Sequence, residues 1–208
     1  MRIIIADDHA IVRKGIRQVI HEEFPSAEIV EVADSESLIK KLIKENYDLV
    51  ISDLSMPGRS GLDALEQIRK DFPNLPVLIL SIHPEEQFAI RILAAGASGY
   101  LNKDAESTEL ISAVRRILQG RKYITPSVAE KMAQKLQKNE AGMPHELLSN
   151  REFDVFKLLA SGKSVGEIAE KLSLGGTTVS TYRARILSKM NLHNNAELTR
   201  YALDNHLI

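Results

Sequence analysis

The chain has 208 residues, enough for one large or two small domains at roughly 100–200 residues per domain. It contains no cysteine, which excludes disulfides and thiolate metal sites. The net charge of −1 conceals an asymmetry, because residues 1–120 carry 14 Lys and Arg against 19 Asp and Glu, whereas residues 149–208 carry 8 against 6. An acidic first part and a mildly basic last part indicate two domains with different partners.

No apolar run reaches the roughly 20 residues of a membrane-spanning helix, and no signal peptide is recognisable at Met1-Arg2. We therefore expect a cytoplasmic protein without a membrane partner.

Residues 2–118 alternate between two apolar patterns. Short β-branched runs predict strands, and they lie at residues 3–5, 28–32, 49–51, 77–80 and, more weakly, 99–101. The intervening stretches have apolar residues spaced three and four apart, as at Ile16, Val19 and Ile20, which is typical of helices. Five strands alternating with five helices predict an α/β fold, a doubly wound five-stranded parallel sheet with right-handed crossovers.

Residues 125–138 predict one more helix, with Thr125 as its N-cap and Pro126 at its first position. Residues 139–144 read as a flexible linker. From Ser149 onward the pattern is wholly helical, and it ends with a short helix at 165–172, a turn at 174–176 and longer helices at 177–190 and 195–205. A short helix, a tight glycine-containing turn and a longer helix predict a helix-turn-helix.

Two serines predict helix starts in this last part. Ser149 is followed by Glu152 and Ser164 by Glu167, both at the spacing of a capping box. We divide the chain into a first domain at 1–120, a linker with one helix at 121–146, and a small all-α domain at 147–208.

Three acidic residues follow predicted strands. Asp7 and Asp8 come after the first strand and Asp53 ends the third. In open α/β sheets, ligands bind at the carboxyl ends of the strands, so these carboxylates meet at one edge. They would repel one another without a cation among them, and their hard oxygen atoms suit Mg²⁺.

A hydroxyl and an ammonium group complete this edge. Ser81 ends the fourth strand and Lys103 follows the fifth, where they could hold two oxygens of a phosphoryl group. Each residue alone has a plainer explanation: Asp8 as the cap of the helix near Ala10, Asp53 as a turn residue, and Lys103 as a surface lysine. Their joint placement favours phosphoryl chemistry with an aspartate as the nucleophile.

The first part of the chain resembles the response-regulator receiver domain, which has a flavodoxin-like fold. The resemblance covers residues 1 to about 118 and lies in Ile-Ile-Ile-Ala-Asp7-Asp8-His, Ser-Asp53-Leu-Ser-Met-Pro57-Gly58, Gly61-Leu, Leu-Ile-Leu-Ser81 and Gly96-Ala-Ser-Gly99-Tyr100-Leu-Asn-Lys103. One departure is Asp104, which stands where many receivers carry proline.

The resemblance implies a role for each matching residue. Asp53 takes a phosphoryl group from a histidine kinase, and Ser81 and Tyr100 form the switch pair. Lys103 binds the phosphate. The ligands of Mg²⁺ are Asp7, Asp8, Asp53 and the backbone carbonyl of Ser55.

The last part resembles a LuxR-type DNA-binding domain. The matching segments are Leu148-Ser149-Asn-Arg151-Glu152, Leu-Leu-Ala-Ser-Gly162-Lys-Ser164, Glu167-Ile-Ala169 and Thr178-Val179-Ser-Thr-Tyr182-Arg-Ala-Arg-Ile186. Together the two parts have the layout of NarL/FixJ-type response regulators. The resemblance implies a homodimer on double-stranded promoter DNA when phosphorylated.

A helical wheel of residues 177–190 predicts which face meets DNA. Val179, Tyr182, Ile186 and Met190 gather on the packed side. The predicted DNA-facing residues are Thr177, Ser180, Thr181, Ala184, Arg185 and Ser188, with Arg183 and Lys189 better placed for phosphate contacts. The family usually has lysine where this chain has Thr177, which predicts weaker phosphate binding.

We expect a phosphorylation-switched transcription regulator rather than an enzyme that turns over a metabolite. One alternative is a Mg²⁺-dependent phosphohydrolase, but position 55 is Ser where such an enzyme has an acidic group, and no cap segment is present. A second alternative is a regulator that acts through protein partners with vestigial DNA binding, supported only by Thr177.

Overall fold

The computed structural model describes residues 1–56, 61–82, 85–138, 143–172, 174–205 and 207–208. The turn expected at Pro57-Gly58 and residues 139–142 of the expected linker lie outside the described residues. The chain forms two compact units, Met1–Lys138 and Asn139–Ile208.

The first unit contains a five-stranded parallel sheet. Its strands are β1 (Arg2–Ala6), β2 (Glu28–Val32), β3 (Leu49–Asp53), β4 (Val77–Ser81) and β5 (Gly99–Asn102). They lie in the order β2-β1-β3-β4-β5, and every pair is parallel. The predicted doubly wound sheet is therefore confirmed. Because the strand order reverses beside β1 and β3, their carboxyl ends form the crevice in which such sheets bind ligands.

Helices alternate with these strands. They are α1 (Ala10–Glu23), α2 (Ser35–Lys44), α3 (Gly61–Asp71), α4 (Glu85–Ala94), α5 (Ser107–Leu118) and α6 (Pro126–Lys138). One core cluster joins alternate residues of the strands, such as Ile3, Ile5 and Ile51, to the buried faces of α1 and α5. The inner strands β1, β3 and β4 are buried on both sides, so their apolar runs are continuous rather than alternating, whereas the edge strand β2 is only half-buried.

The segment after α5 belongs to the first unit in this structure. Tyr123 pairs with Gly99 as a parallel bridge, and its N–H donates to the carbonyl oxygen of Ser98 at 2.8 Å. Val128 is buried, and α6 packs against α4. Much of the segment expected to be a linker is therefore anchored to the edge of the sheet.

The second unit is all helical, as predicted. It contains a short 3-10 helix (Pro144–Leu147) followed by α7 (Asn150–Ala160), α8 (Val165–Lys171), α9 (Gly176–Met190) and α10 (Asn195–Asp204). Both predicted capping boxes are confirmed, Ser149 with Glu152 at α7 and Ser164 with Glu167 at α8. Each box provides hydrogen-bond acceptors for two backbone N–H groups that would lack partners at the start of a helix.

Among the described residues, no helix is at once long and apolar enough to span a membrane.

Candidate functional site

The acidic residues converge at the carboxyl ends of β1 and β3. Asp7, Asp8, His9 and Asp53 each offer a ligand atom, and these atoms all lie within 4.8 Å of one another. Asp7 and Asp53 are almost fully buried. The strand pattern predicted this meeting of Asp7, Asp8 and Asp53. His9 was missed, although its position directly after the acidic pair was a signal.

Lys103 lies between two of these carboxylates. Its Nζ is 2.7 Å from Asp7 Oδ2 and 2.8 Å from Asp53 Oδ2, and its side chain is 10% exposed. Burial alone would lower the pKa of Lys103, but its hydrogen bonds to Asp53 and Asp7 and their charges raise the pKa above the ordinary value. Lys103 is therefore a charged member of the pocket and not a solvated surface lysine.

Asp7 is fixed at several atoms. Its N–H donates to the carbonyl oxygen of Val32 at 3.2 Å, and its Oδ1 accepts from the N–H of His9 at 2.7 Å. Its backbone carbonyl accepts from Arg13, a residue that the sequence reasoning did not single out. The N-cap of α1 is His9, whose side chain makes no capping hydrogen bond, so Asp8 is not the cap of that helix.

Residues that follow Asp53 in the chain contact its side chain and its backbone. Its Oδ1 accepts from the N–H of Ser55 at 3.1 Å, which keeps Ser55 beside the pocket. Gly61, the first residue of α3, approaches so closely that a Cβ there would lie 2.3 Å from the carbonyl oxygen of Asp53. The start of α3 is therefore packed directly against the backbone of Asp53.

The proposed switch residues lie inside the first unit on neighbouring strands. Ser81 is fully buried at the end of β4, and Tyr100 on β5 is 2% exposed. Tyr100 pairs with Ile79, two residues before Ser81. The N–H of Lys103 donates to the carbonyl oxygen of Ser81 at 2.8 Å, which ties the end of β5 to the end of β4. The described peptide bonds are all trans, including the one before Asp104.

The residues of the pocket fit a hard divalent cation. Asp8 Oδ1 is shielded from solvent and accepts no well-aligned hydrogen bond, although His9 Nδ1 lies 2.8 Å away. A solvent-shielded carboxylate oxygen without an aligned hydrogen bond, near two other carboxylates, is well suited to bind a cation that prefers oxygen ligands.

In the second unit, α9 exposes the face that the helical wheel predicted. Of the predicted packed side, Val179, Ile186 and Met190 are buried in the core of the unit and Tyr182 is half-buried. The predicted residues that are exposed are Thr177, Ser180, Thr181, Ala184, Arg185, Ser188 and Lys189, and Gly176 and Thr178 in the first turn are exposed too. A face of small polar residues with an arginine can approach the floor of a major groove closely.

Three residues expected at the DNA have partners within the unit. Arg183 Nε donates to Asn195 Oδ1 at 2.7 Å, and Thr181 Oγ1 donates to the carbonyl oxygen of Thr177 at 2.9 Å. Lys189 Nζ lies 2.6 Å from Oε2 of Glu152, which is almost fully buried.

Glu152 therefore joins the start of α7 to the end of α9. Burial alone would raise the pKa of Glu152, but the hydrogen bonds from Lys189 and Ser149 lower its pKa below the ordinary value. Arg185 has no partner of this kind among the described residues.

Comparison with known proteins gives matches over both units. Residues 3–115 match the response regulator receiver domain, and residues 146–202 match the bacterial regulatory proteins of the luxR family. The response regulator UvrY of Escherichia coli (strain K12) is 34% identical over 205 residues, covering 98% of this chain and 94% of that protein.

Solved structures of RcsB also match over most of the chain. RcsB from Salmonella enterica serovar Typhimurium bound to promoter rprA in the presence of phosphomimetic BeF3⁻ has a TM-score of 0.68 at 31% identity, covering 97% of both chains. A structure of two RcsB dimers bound to two parallel DNAs has a TM-score of 0.61 at 31% identity, again covering 97% of both chains.

A doubly wound sheet with an acidic pocket, followed by a helix-turn-helix unit, defines a class of two-domain regulators. The chain belongs to the response regulators, of the NarL/FixJ type, with a receiver domain and a LuxR-type DNA-binding domain. Membership of this family makes it a two-component transcription regulator, which disfavours the phosphohydrolase alternative.

Proposed function

We propose that Asp53 is the phosphoacceptor of this regulator and that its phosphorylation controls dimerisation and promoter binding. The observation that carries the proposal is the pairing of Lys103 with Asp7 and Asp53 in a pocket closed by the strand ends. A buried ammonium group beside a nucleophilic carboxylate supplies a positive charge where phosphoryl oxygens would arrive.

The chemistry is a transfer from a phosphohistidine of a sensor histidine kinase. A carboxylate oxygen of Asp53 attacks phosphorus, the phosphorus–nitrogen bond breaks, and the imidazole nitrogen keeps the electron pair. Lys103 and Ser81 bind two of the phosphoryl oxygens. The N–H of Ser55, which donates to Asp53 Oδ1, helps hold the nucleophile in place. Turnover of a separate substrate is no part of this chemistry, which serves only to set and reset the switch.

The pocket would hold Mg²⁺ through Asp7, Asp8, Asp53 and the backbone carbonyl of Ser55. When bound, Mg²⁺ neutralises the carboxylates and the incoming phosphoryl oxygens. The solvent-shielded Asp8 Oδ1 supports this assignment.

Phosphorylation adds roughly −1.5 to −2 charges and three acceptor oxygens at the carboxyl edge of the sheet. Ser81 and Tyr100 form the element that responds, because they lie on neighbouring strands and both are buried. A change in their packing alters the surfaces of α4 and α5, through which we propose that two copies associate.

Two copies then bind DNA together in the cytoplasm. One small unit makes few base contacts, whereas a pair of units places two α9 helices on half-sites about one helical turn apart. The RcsB structures, with promoter DNA in the presence of BeF3⁻ and with dimers on DNA, support this arrangement by analogy.

The experiment is phosphorylation of the full chain by a small phosphoryl donor with Mg²⁺, followed by intact mass spectrometry. The wild-type chain should gain one phosphoryl group and the Asp53→Asn variant none. Asp48→Asn is a matched control, because Asp48 is an exposed aspartate beside the opposite end of β3. Incorporation into Asp53→Asn at the wild-type level would overturn the assignment.

A further inference from the structure

Arg13 lies in the first turn of α1, beside the acidic pocket but outside its group of potential metal ligands. Its Nη1 donates to the backbone carbonyl oxygen of Asp7 at 2.5 Å. The side chain of Arg13 is 16% exposed, so most of the guanidinium stem is packed within the unit. A charged donor on a backbone carbonyl makes a stronger bond than a neutral donor would.

Glu31 on β2 holds Arg13 from the other side. Its Oε2 lies 3.6 Å from Arg13 Nε, while its Oε1 accepts from Arg17 Nη1 at 3.0 Å. Arg13 Nε is shielded from solvent and has no hydrogen-bond partner among the described residues. Arg13 therefore keeps its bond to Asp7 although its Nε donor has no hydrogen bond. A buried donor without a partner costs desolvation free energy, which a solvent-exposed arginine would not lose.

The Asp7 carbonyl belongs to the peptide group that joins Asp7 to Asp8. The other polar atoms of Asp7 are already fixed by Val32, His9 and Lys103. Fixing the carbonyl as well sets the plane of this peptide group and hence the direction in which Asp8 leaves the backbone. No aligned hydrogen bond holds Asp8 Oδ1, and its near neighbour His9 Nδ1, 2.8 Å away, belongs to an exposed side chain, so the backbone is a main constraint on the position of this carboxylate.

We propose that Arg13 is a positioning residue for the cation site, holding Asp8 towards it through the Asp7 carbonyl, with Glu31 as its anchor. This inference rests on the proposed function, because it assigns a role to Arg13 in the same Mg²⁺ pocket. Residues that orient metal ligands without touching the metal commonly change metal affinity by about 10- to 100-fold when they are replaced.

Electrostatics alone predicts that removing Arg13 strengthens Mg²⁺ binding, whereas the positioning role predicts that it weakens Mg²⁺ binding, so the two can be told apart. A guanidinium close to a cation site repels the cation, so removing its charge should strengthen Mg²⁺ binding if charge were all that mattered. If Arg13 positions Asp8, removing it should weaken Mg²⁺ binding despite the lost repulsion.

The experiment is a calorimetric titration of the full chain with Mg²⁺, since the chain contains no tryptophan to report binding by fluorescence. Arg13→Ala should lower Mg²⁺ affinity by about tenfold, the lower end of the range for such residues. Arg13→Lys keeps a charged donor and should recover part of the loss. Arg17→Ala is the matched control, because Arg17 also binds Glu31 but makes no bond to Asp7, and its affinity should stay close to wild type.

Thermal unfolding in EDTA shows whether each variant is folded. If Arg13→Ala fails to fold, Arg13→Met replaces it, because methionine keeps an unbranched stem but has neither the charge nor the donor, and the proposal predicts weaker Mg²⁺ binding there too. If the wild-type chain binds Mg²⁺ and the Arg13→Ala or Arg13→Met variant binds it equally well or more tightly, the positioning role alone is overturned. Absence of Mg²⁺ binding in the wild-type chain would overturn both this inference and the proposed cation site.

Discussion

At the scale of single residues, Lys103 acts as the internal counter-charge of the pocket. Its ammonium group pairs with Asp7 and Asp53, two carboxylates that are nearly inaccessible to solvent. Buried like charges at this separation repel strongly unless a cation accompanies them. The strand pattern predicted that Lys103 would reach this edge, but the sequence could not predict which oxygens it would bind.

Replacing Lys103 with methionine should therefore destabilise the chain in EDTA. Removing one partner of a buried ion pair typically costs about 3–5 kcal/mol, and we expect the lower end here because Asp8 and His9 beside the pair remain partly exposed to solvent. Mg²⁺ should stabilise Lys103→Met more than the wild-type chain, since no ammonium competes for the carboxylates. Urea unfolding in EDTA and in Mg²⁺ measures both effects. Equal stabilisation of the two proteins by Mg²⁺ would contradict this account of the pocket.

Gly61 belongs to the Gly61-Leu segment of the receiver resemblance, but the sequence does not explain why glycine is needed there. A Cβ at this position would lie 2.3 Å from the Asp53 carbonyl oxygen and 2.7 Å from the Cα of Leu54. Because both atoms belong to the backbone, α3 would have to move away from Asp53. The requirement depends on how closely a helix approaches a strand end, which no local sequence pattern reveals.

Gly61→Ala should lower the free energy of unfolding by about 1–3 kcal/mol, the usual cost of overpacking, and should slow phosphorylation of Asp53. Gly15→Ala is the control, since a Cβ there meets nothing within 4 Å. Gly15 lies inside α1, so this control should gain about 0.5–1 kcal/mol from helix propensity. Urea unfolding compares the two variants, and equal stabilities would refute the steric argument.

At the scale of elements, the capping box of α8 has a measurable pH signature. The hydrogen bond from Lys163, together with those from the Ser164 backbone and hydroxyl, lowers the pKa of Glu167 from 4.5 to about 2. A carboxylate whose pKa is lowered by folding stabilises the folded state fully above its unfolded pKa. The contribution of Glu167 should therefore be present above pH 4.5 and lost as the pH falls towards 2.

Carbon-13 NMR of the Glu167 carboxyl group tests this directly in the full chain. The group should remain ionised at about pH 3.5, where an unperturbed glutamate is mostly protonated. Lys163→Met should raise the pKa of Glu167, because the hydrogen bond from Lys163 is lost. A midpoint at the ordinary value in the wild-type chain would show that the box is not formed in solution.

The sequence predicted the exposed face of α9 but not the partners of its basic residues. Arg183 binds Asn195 at the start of α10, and Lys189 binds Glu152 in the first turn of α7. Both contacts join different helices, so they depend on packing that a single-helix wheel does not contain. Arg185 is exposed and makes no such contact among the described residues.

Arg185→Ala should accordingly weaken binding to a random-sequence DNA duplex and reduce the slope of log affinity against log salt by about one unit. Arg183→Ala is the comparison. It should change this slope less and lower the melting temperature more, because it removes the bond to Asn195. Fluorescence anisotropy over a salt series, with thermal unfolding, measures both. A larger change in slope for Arg183→Ala would contradict this prediction and favour the phosphate contact that the helical wheel predicted for Arg183.

At the scale of the whole molecule, the spacing of apolar residues predicted the order of strands and helices. Apolar residues follow one another directly in a buried strand, whereas they recur every three or four residues in an amphipathic helix. The same spacing predicted α6 as a helix. It did not predict that α6 would pack on α4, or that Tyr123 would pair with Gly99 at the sheet edge. An amphipathic pattern shows that a helix has a face to bury, but it does not show what the face will cover.

The central claim is that modification of Asp53 converts a monomer into a DNA-binding dimer. The most direct measurement is sedimentation velocity of the full chain with Mg²⁺, before and after beryllofluoride, beside Asp53→Ala. We expect the wild-type chain to change from monomer to dimer and Asp53→Ala to remain monomeric. The same sedimentation coefficient before and after beryllofluoride in the wild-type chain would contradict phosphorylation-driven dimerisation.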